Sequence, residues 1–187
     1  MLRRLSTFFL DIIQIVIFAV SIFLFVYLLI MQPHKINGES MEANFHNGEY
    51  ILTEKITYDF NKPKQGDVIV FKAPPDGHDE YIKRIIGLPG DTVMVAGCKV
   101  YVNGKQLNES SYLPDSVCTN PGTFATEGLT LTVPPNNYFV LGDNRPHSLD
   151  GRYFGFIGRD KFTGLAWIIY WPLNNAGGVK HATYPKN

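Results

Sequence analysis

The sequence predicts a mainly β protein, with an N-terminal transmembrane helix followed by an antiparallel β domain. Three observations point there. One uncharged apolar run sits near the N-terminus, the later segments with a clear period are short and alternating, and Gly, Pro and Asn punctuate them at close intervals. At 187 residues the chain has room for one modest water-exposed domain beside a membrane segment.

Residues 12–31 carry no charge and are interrupted only by Gln14, Ser21 and Tyr27. As a helix this run rises roughly 30 Å, the thickness of a hydrocarbon core. Phe8, Phe9 and Leu10 extend it, with Asp11 near one membrane face. A cleaved signal peptide would have a shorter apolar core followed by small residues, and Gln32-Pro33-His34-Lys35 offers no such site. A buried core helix would carry a polar face, which this run lacks. Arg3 and Arg4 precede it, so the positive-inside rule puts the N-terminus in the cytoplasm; Lys35, on the far side, pulls weakly the other way. The expected organisation is a cytoplasmic N-terminus and anchor over residues 1–32 and an extracytoplasmic β domain over 33–187, in a single-pass protein of the cell membrane. Seventeen basic and seventeen acidic residues cancel, which leaves no footprint for nucleic acid.

Past the anchor, strands are expected at 49–53, 67–71, 81–86, 92–96, 99–102, 129–133, 138–141 and 165–171, rich in β-branched and aromatic residues. Asn103-Gly104 marks a hairpin between Val102 and Gln106. No long stretch after residue 32 keeps a helical period, so a coiled or barrel-like antiparallel arrangement is expected. Residues 97–135 are rich in Asn, Ser, Pro, Gly and Thr and read as a small insertion or lid. They hold Cys98 and Cys118, which in an oxidising compartment either join in a disulfide or remain two structural thiols. The spacing fits neither a metal nor a redox site, and no cofactor is expected.

Three segments hold candidate chemistry. Gly38-Glu39-Ser40-Met41 lies nine residues past Met31, a reach of about 30 Å at most, so Ser40 stays near the bilayer surface. A serine after a glycine is also an ordinary turn residue. In Tyr81-Ile82-Lys83-Arg84-Ile85-Ile86, alternation sends Lys83 and Arg84 to opposite faces of an apolar strand. At least one cation must then meet hydrophobic surface, unless both snorkel from an edge strand. A desolvated lysine gives up its proton easily enough to serve as a base for a serine hydroxyl, and arginine cannot do this. The third segment, residues 142–155, packs three glycines, two carboxylates, two arginines, Asn and Ser between apolar strands. It reads either as a long polar turn or as a braced functional loop.

Together these segments resemble the type I signal peptidases, serine proteases that remove signal peptides from exported proteins. Ser40-Met41 resembles the nucleophile box, residues 66–71 (GDVIVF) a following strand, residues 81–91 (YIKRIIGLPGD) the lysine box, and residues 142–155 (GDNRPHSLDGRYFG) the last box. The resemblance implies an antiparallel β catalytic domain, Ser40 as nucleophile through an acyl-enzyme, and Lys83 as general base. It implies that Ser148 orients the lysine amine and that Asp150 and Arg152 form a bracing ion pair. The oxyanion would be held by the backbone N–H of Ser40 and a group at or near Gly38, with Met41 packed beneath the site. Its substrates would be preprotein signal peptides, added to a strand edge with small residues at −1 and −3, beside membrane lipid. Two departures stand out: Ala43-Asn44-Phe45 replaces a Pro-Thr-Leu pattern, which would loosen the nucleophile loop, and Gly151 replaces a common serine. Of Phe154, Phe156, Ile157, Phe162, Trp167 and Trp171, most are expected in the core and some at the membrane. Rival readings are a Ser-His-Asp triad using His147 with Asp143 or Asp150, a self-cleaving repressor whose DNA-binding domain the anchor would replace, and a non-enzymatic peptide-binding β module.

Overall fold

A computed structural model describes residues 2–74 and 77–184. The chain opens with helix α1 (Leu2–Phe25), whose stretch Thr7–Phe25 is long and apolar enough to cross a membrane and is not buried by the rest of the fold. Its one serine hydroxyl, Ser21, donates to the Ile17 carbonyl, which satisfies it within the helix. The apolar run does not stay helical to its end. A π-helical turn (Val26–Ile30) closes the helix, and Met31 already belongs to strand β1 (Met31–Lys35). Pairing with Glu54 of the next strand claims Met31, the last residue of the uncharged apolar run.

The remaining strands are β2 (Tyr50–Glu54), β3 (Val68–Lys72), β4 (Glu80–Gly87), β5 (Thr92–Ala96), β6 (Lys99–Val102), β7 (Lys105–Gln106), β8 (Leu131–Thr132), β9 (Asn137–Leu141), β10 (Ile157–Gly158), β11 (Phe162–Trp171) and β12 (Gly177–Gly178). Past α1 the α-helices among the described residues are single turns, α2 (Thr57–Phe60) and α3 (Gly151–Phe154). The larger sheet runs β1-β2-β11-β3-β4-β9-β10, with β12 paired to β11, and the smaller runs β7-β6-β5-β8; all pairs are antiparallel. The larger sheet curls until His34 on β1 meets Glu80 on β4, with three strands between them in the order.

Alternation along the strands builds the core on both faces of the large sheet. Ile51, Val68, Val70 and Ala166 gather with Ile36, Met41 and Phe45 on one face, and Ile69, Phe71, Ile85 and Val140 with Tyr58 and Tyr138 on the other. A third cluster, with Ile86, Val93, Val100 and Phe139, joins the two sheets. Each such side chain contributes roughly 1.5–3 kcal/mol by leaving water. Gly87 marks the place where the sheets meet, since a Cβ there would sit 2.6 Å from Val93 Cγ2.

Residues 97–135 hold strands β6, β7 and β8. Their strands complete the small sheet with β5, which begins upstream at Thr92, and the loop beyond β7 folds back onto the polar segment 142–155. Cys98 and Cys118 are joined in a disulfide across a separation of 20 residues, a closure worth about 3 kcal/mol in the chain-entropy model. Ile157 is buried and Phe154, Phe156 and Phe162 pack against core clusters, but Trp167 and Trp171 are 42% and 53% exposed. On the side of β11 away from β2, the strand paired with its end among the described residues is two-residue β12, so four of the six apolar residues lie in or against the core and the two tryptophans are the exposed remainder.

Candidate active site

Ser40 sits in the loop between β1 and β2, which is pinned at its base by hydrogen bonds from Ile36 N to Glu49 O and from Gly48 N to Ile36 O. Met41 and Phe45 are 1% and 2% exposed and anchor the loop in the core cluster below. The replacements noted in the sequence do not leave it slack. Asn44 donates to both Tyr112 O and Asp143 Oδ2, and Asn44 N and Phe45 N both return to Met41 O. From the other side, Asn144 N donates to Ser40 O at 3.0 Å and Asn144 Nδ2 to Glu39 O at 2.9 Å.

Lys83 reaches this loop from the middle of β4. Its strand pairs with β3 along this stretch and with β9 from Arg84 onward, and neither cation snorkels; Lys83 is 3% and Arg84 1% exposed. Lys83 Nζ donates to Ser40 Oγ at 2.7 Å and to its neighbour's carbonyl, Ile82 O, at 2.8 Å. Burial pulls its pKa down to about 8 from an ordinary lysine value of 10.5, against the pull of Asp150 and then Asp143. The sign has a consequence for stability. The unfolded chain holds this proton up to pH 10.5 while the folded chain releases it near 8, so the site costs stability at pH 7, and the cost is relieved as pH rises through that window. Lys83→Met is expected to raise unfolding stability at pH 7 by up to about 3 kcal/mol, with the gain shrinking toward pH 10.5, as denaturant titrations at several pH values would reveal.

Arg84, on the opposite face, is held by a bidentate pair to Asp143, with Nε at 2.9 Å and Nη2 at 2.7 Å. It stacks 4.2 Å from the Tyr112 ring and donates to Gly66 O and Lys180 O. Asp143 therefore ties β4 to the Ser40 loop through Arg84 and Asn44. Sequence reasoning separated the two cations correctly but did not find this partner, 59 residues away.

The segment 142–155 is a braced loop. Asp150, fully buried, caps α3 and accepts from Gly142 N, Arg152 N and the Arg152 guanidinium at 2.8 and 2.9 Å. Arg152 also donates to Asn120 O, Arg145 O and Ser148 O. Arg145 ties the same loop to Glu109 and Thr119, and Phe124 N and Ala125 N donate to Arg152 O. Residues 97–135 thus back this loop, and none of them lines the Ser40 cleft. At Gly142 a Cβ would overlap Ser148 Oγ and the Ser40 carbonyl oxygen, so only glycine lets the loop close on Ser40.

Ser148 is 6% exposed, and its Oγ has no hydrogen-bond partner among the described residues; the two bonds of Lys83 Nζ run to Ser40 and Ile82 instead. Gly38 is exposed with φ 109° and its N–H donates to Asn47 Oδ1, a bond that must open before that N–H can hold an oxyanion. The Ser40 N–H stays outside the local turn bonds, which run from Glu42 N to Glu39 O and from Asn44 and Phe45 N to Met41 O. His147 is exposed on the cleft wall, while Ser40 Oγ is engaged by Lys83, which removes the support for a histidine triad.

A cleft of about 770 Å³ opens beside Ser40 and Lys83. One wall is β1, the last strand of its sheet, and the other is the first half of β4, where β9 pairs only from Arg84 onward. Both walls offer unpaired backbone groups to an extended chain.

An antiparallel β domain with a half-buried serine bonded to a buried lysine at the end of a strand-edge cleft has the parts for nucleophilic attack on a peptide carbonyl. The family model described as signal peptidase, peptidase S26, matches residues 9–171, and the chain belongs to that family. It is 39% identical over 168 residues to the probable signal peptidase I-2 of Synechocystis sp., covering 87% of this chain and 71% of the relative. It is 36% identical over 154 residues to the signal peptidase I of Bacillus caldolyticus, covering 78% and 82%. With the signal peptidase IB of Staphylococcus aureus it shares 34% over 169 residues, covering 84% and 85%. Among solved structures, that of a signal peptidase I from Enterococcus faecalis is 36% identical and covers 56% of this chain and 97% of its own, at a TM-score of 0.46.

Proposed function

We propose that this protein is a membrane-anchored serine endopeptidase that removes N-terminal signal peptides from exported preproteins. The observation that carries the reading is the 2.7 Å contact between Lys83 Nζ and Ser40 Oγ, made by a lysine that burial brings close to neutrality. Relatives named signal peptidase I supply the substrate class.

Once Lys83 is neutral, the same contact runs in reverse and the amine accepts the Ser40 proton. Ser40 Oγ attacks the scissile carbonyl, and the Ser40 N–H stabilises the oxyanion that forms. The C–N bond breaks as the protonated Lys83 returns its proton to the leaving amine. The acyl-enzyme ester is then hydrolysed by a water that Lys83 deprotonates. Ser148, whose hydroxyl is unengaged and buried beside Gly142, orients the amine during this cycle, and the Asp150–Arg152 pair keeps its loop in place. Gly38 supplies the second oxyanion donor after release from Asn47. The substrate lies as an extended strand between β1 and β4. Arg3 and Arg4 hold the N-terminus in the cytoplasm, so that residues 33–187 act outside, next to lipid.

The test is incubation of detergent-solubilised protein with a preprotein, followed by sequencing of the new N-terminus. A single cut after the signal peptide, lost in Ser40→Ala, supports the reading. A protein that binds the preprotein without cutting it is a binding module, and the reading fails.

A further inference from the structure

The cleft walls run parallel, because three intervening strands alternate direction between β1 and β4. Their residues therefore step together. Ile36 and Ile82 lie nearest Ser40 and Lys83 and pack on one apolar cluster. Two residues upstream on each wall, His34 Nδ1 meets Glu80 Oε2 at 2.9 Å across the gap. Glu80 is steadied from behind by Thr163, whose hydroxyl donates to Oε1 at 2.6 Å.

Resting on the proteolytic reading, a direction for the substrate follows. The membrane-embedded part of a signal peptide lies upstream of its cut, and β1 leads from the anchor toward Ser40. Upstream residues thus lie along His34 and Glu80. Strand alternation turns the first and third residues before the cut to the same side, about 6.6 Å apart, the spacing of the two levels. The first faces Ile36 and Ile82, and the third faces the His34–Glu80 pair.

The chemistry of that second level is polar. A carboxylate only accepts, so Nδ1 carries the proton that bridges to Glu80. Burial holds the His34 pKa below its ordinary value despite the opposing pull of Glu80, so the ring is neutral and Nε2 is an acceptor. Nε2 is buried and has no hydrogen-bond partner among the described residues. An unpaired buried acceptor gains from any donor brought to it. We infer that His34, fixed by Glu80, is a specificity-determining residue that prefers a hydroxyl-bearing side chain, Ser or Thr, over an apolar one of equal size at the third position before the scissile bond.

Two peptides that span a signal-peptide cleavage site and differ only in Thr or Val at that position test this in competition. The Thr peptide is expected to be cut with about fivefold higher kcat/KM by the unaltered protein. The ratio should fall to within about twofold in His34→Phe, which keeps a ring and removes the acceptor, and also in Glu80→Ala, which frees the imidazole. Equal cleavage of the two by the unaltered protein, or a preference that survives in His34→Phe, overturns the subsite and leaves the proteolytic reading standing. Failure to cut either peptide, or the parent preprotein, overturns that reading and the subsite with it.

Discussion

Replacing Lys83 with Ala is expected to lower kcat on a preprotein by about 10⁴-fold or more, with KM little changed and the fold retained. The proton of Ser40 has no other taker, because the Oγ contact is to Lys83 and the exposed His147 is not bonded to it. Ser40→Ala should cost as much alone, and the double variant no more than either single one, since the two groups act as a unit. Lys83→Arg should not restore activity, because a guanidinium stays protonated at any working pH. Single-turnover cleavage of a preprotein by the purified variants measures all four. Circular dichroism and a denaturant midpoint at least equal to that of the parent establish that folding is intact, in line with the stability cost of burying this amine.

The second large effect lies behind the site. Asp143→Ala is expected to destabilise the protein by about 3–5 kcal/mol, because it leaves the Arg84 guanidinium buried without its carboxylate. Both partners are essentially sealed from solvent, so water cannot take over the lost contacts. The same change removes an acceptor from Asn44 and so releases one tie on the Ser40 loop. Activity should therefore fall even at temperatures where the variant is folded. Combining Asp143→Leu with Arg84→Met removes both charges together and should recover much of the stability, as urea unfolding would report. A double variant as unstable as Asp143→Ala would mean that the ion pair is not what the core depends on.

The parts of the fold that depend on local pattern were legible in the sequence. Alternation identified β3 to β6, β9 and most of β11, and Asn103-Gly104 identified the turn between β6 and β7. Strand β1 was not legible. Met31-Gln32-Pro33-His34-Lys35 has no strand period and contains a proline, and it is extended because β2 pairs with it on its single bonded side. Which of the six apolar residues would stay outside the core was not legible either, since a strand's sequence does not say which stretch the next element will cover; they are Trp167 and Trp171. In the site, opposite strand faces separated Lys83 from Arg84. Their partners Ser40 and Asp143 lie 43 and 59 residues away, and spacing alone could not pair them. The Ser40 contact was reached through family resemblance, and the Asp143 contact was missed. The role of residues 97–135 was hidden too, because Glu109, Thr119 and Ala125 acquire meaning only against Arg145 and Arg152.

The protonation state of Lys83 decides the mechanism, and it can be observed directly. NMR titration of lysine side chains labelled at Cε, with Lys83→Met to assign the resonance, follows that amine in the intact protein. An apparent pKa near 8, matched by an acidic limb in the pH dependence of kcat/KM, is the expected result. A Lys83 titration at the ordinary lysine value of about 10.4 would mean that the amine is charged at working pH and has no lone pair to receive the Ser40 proton.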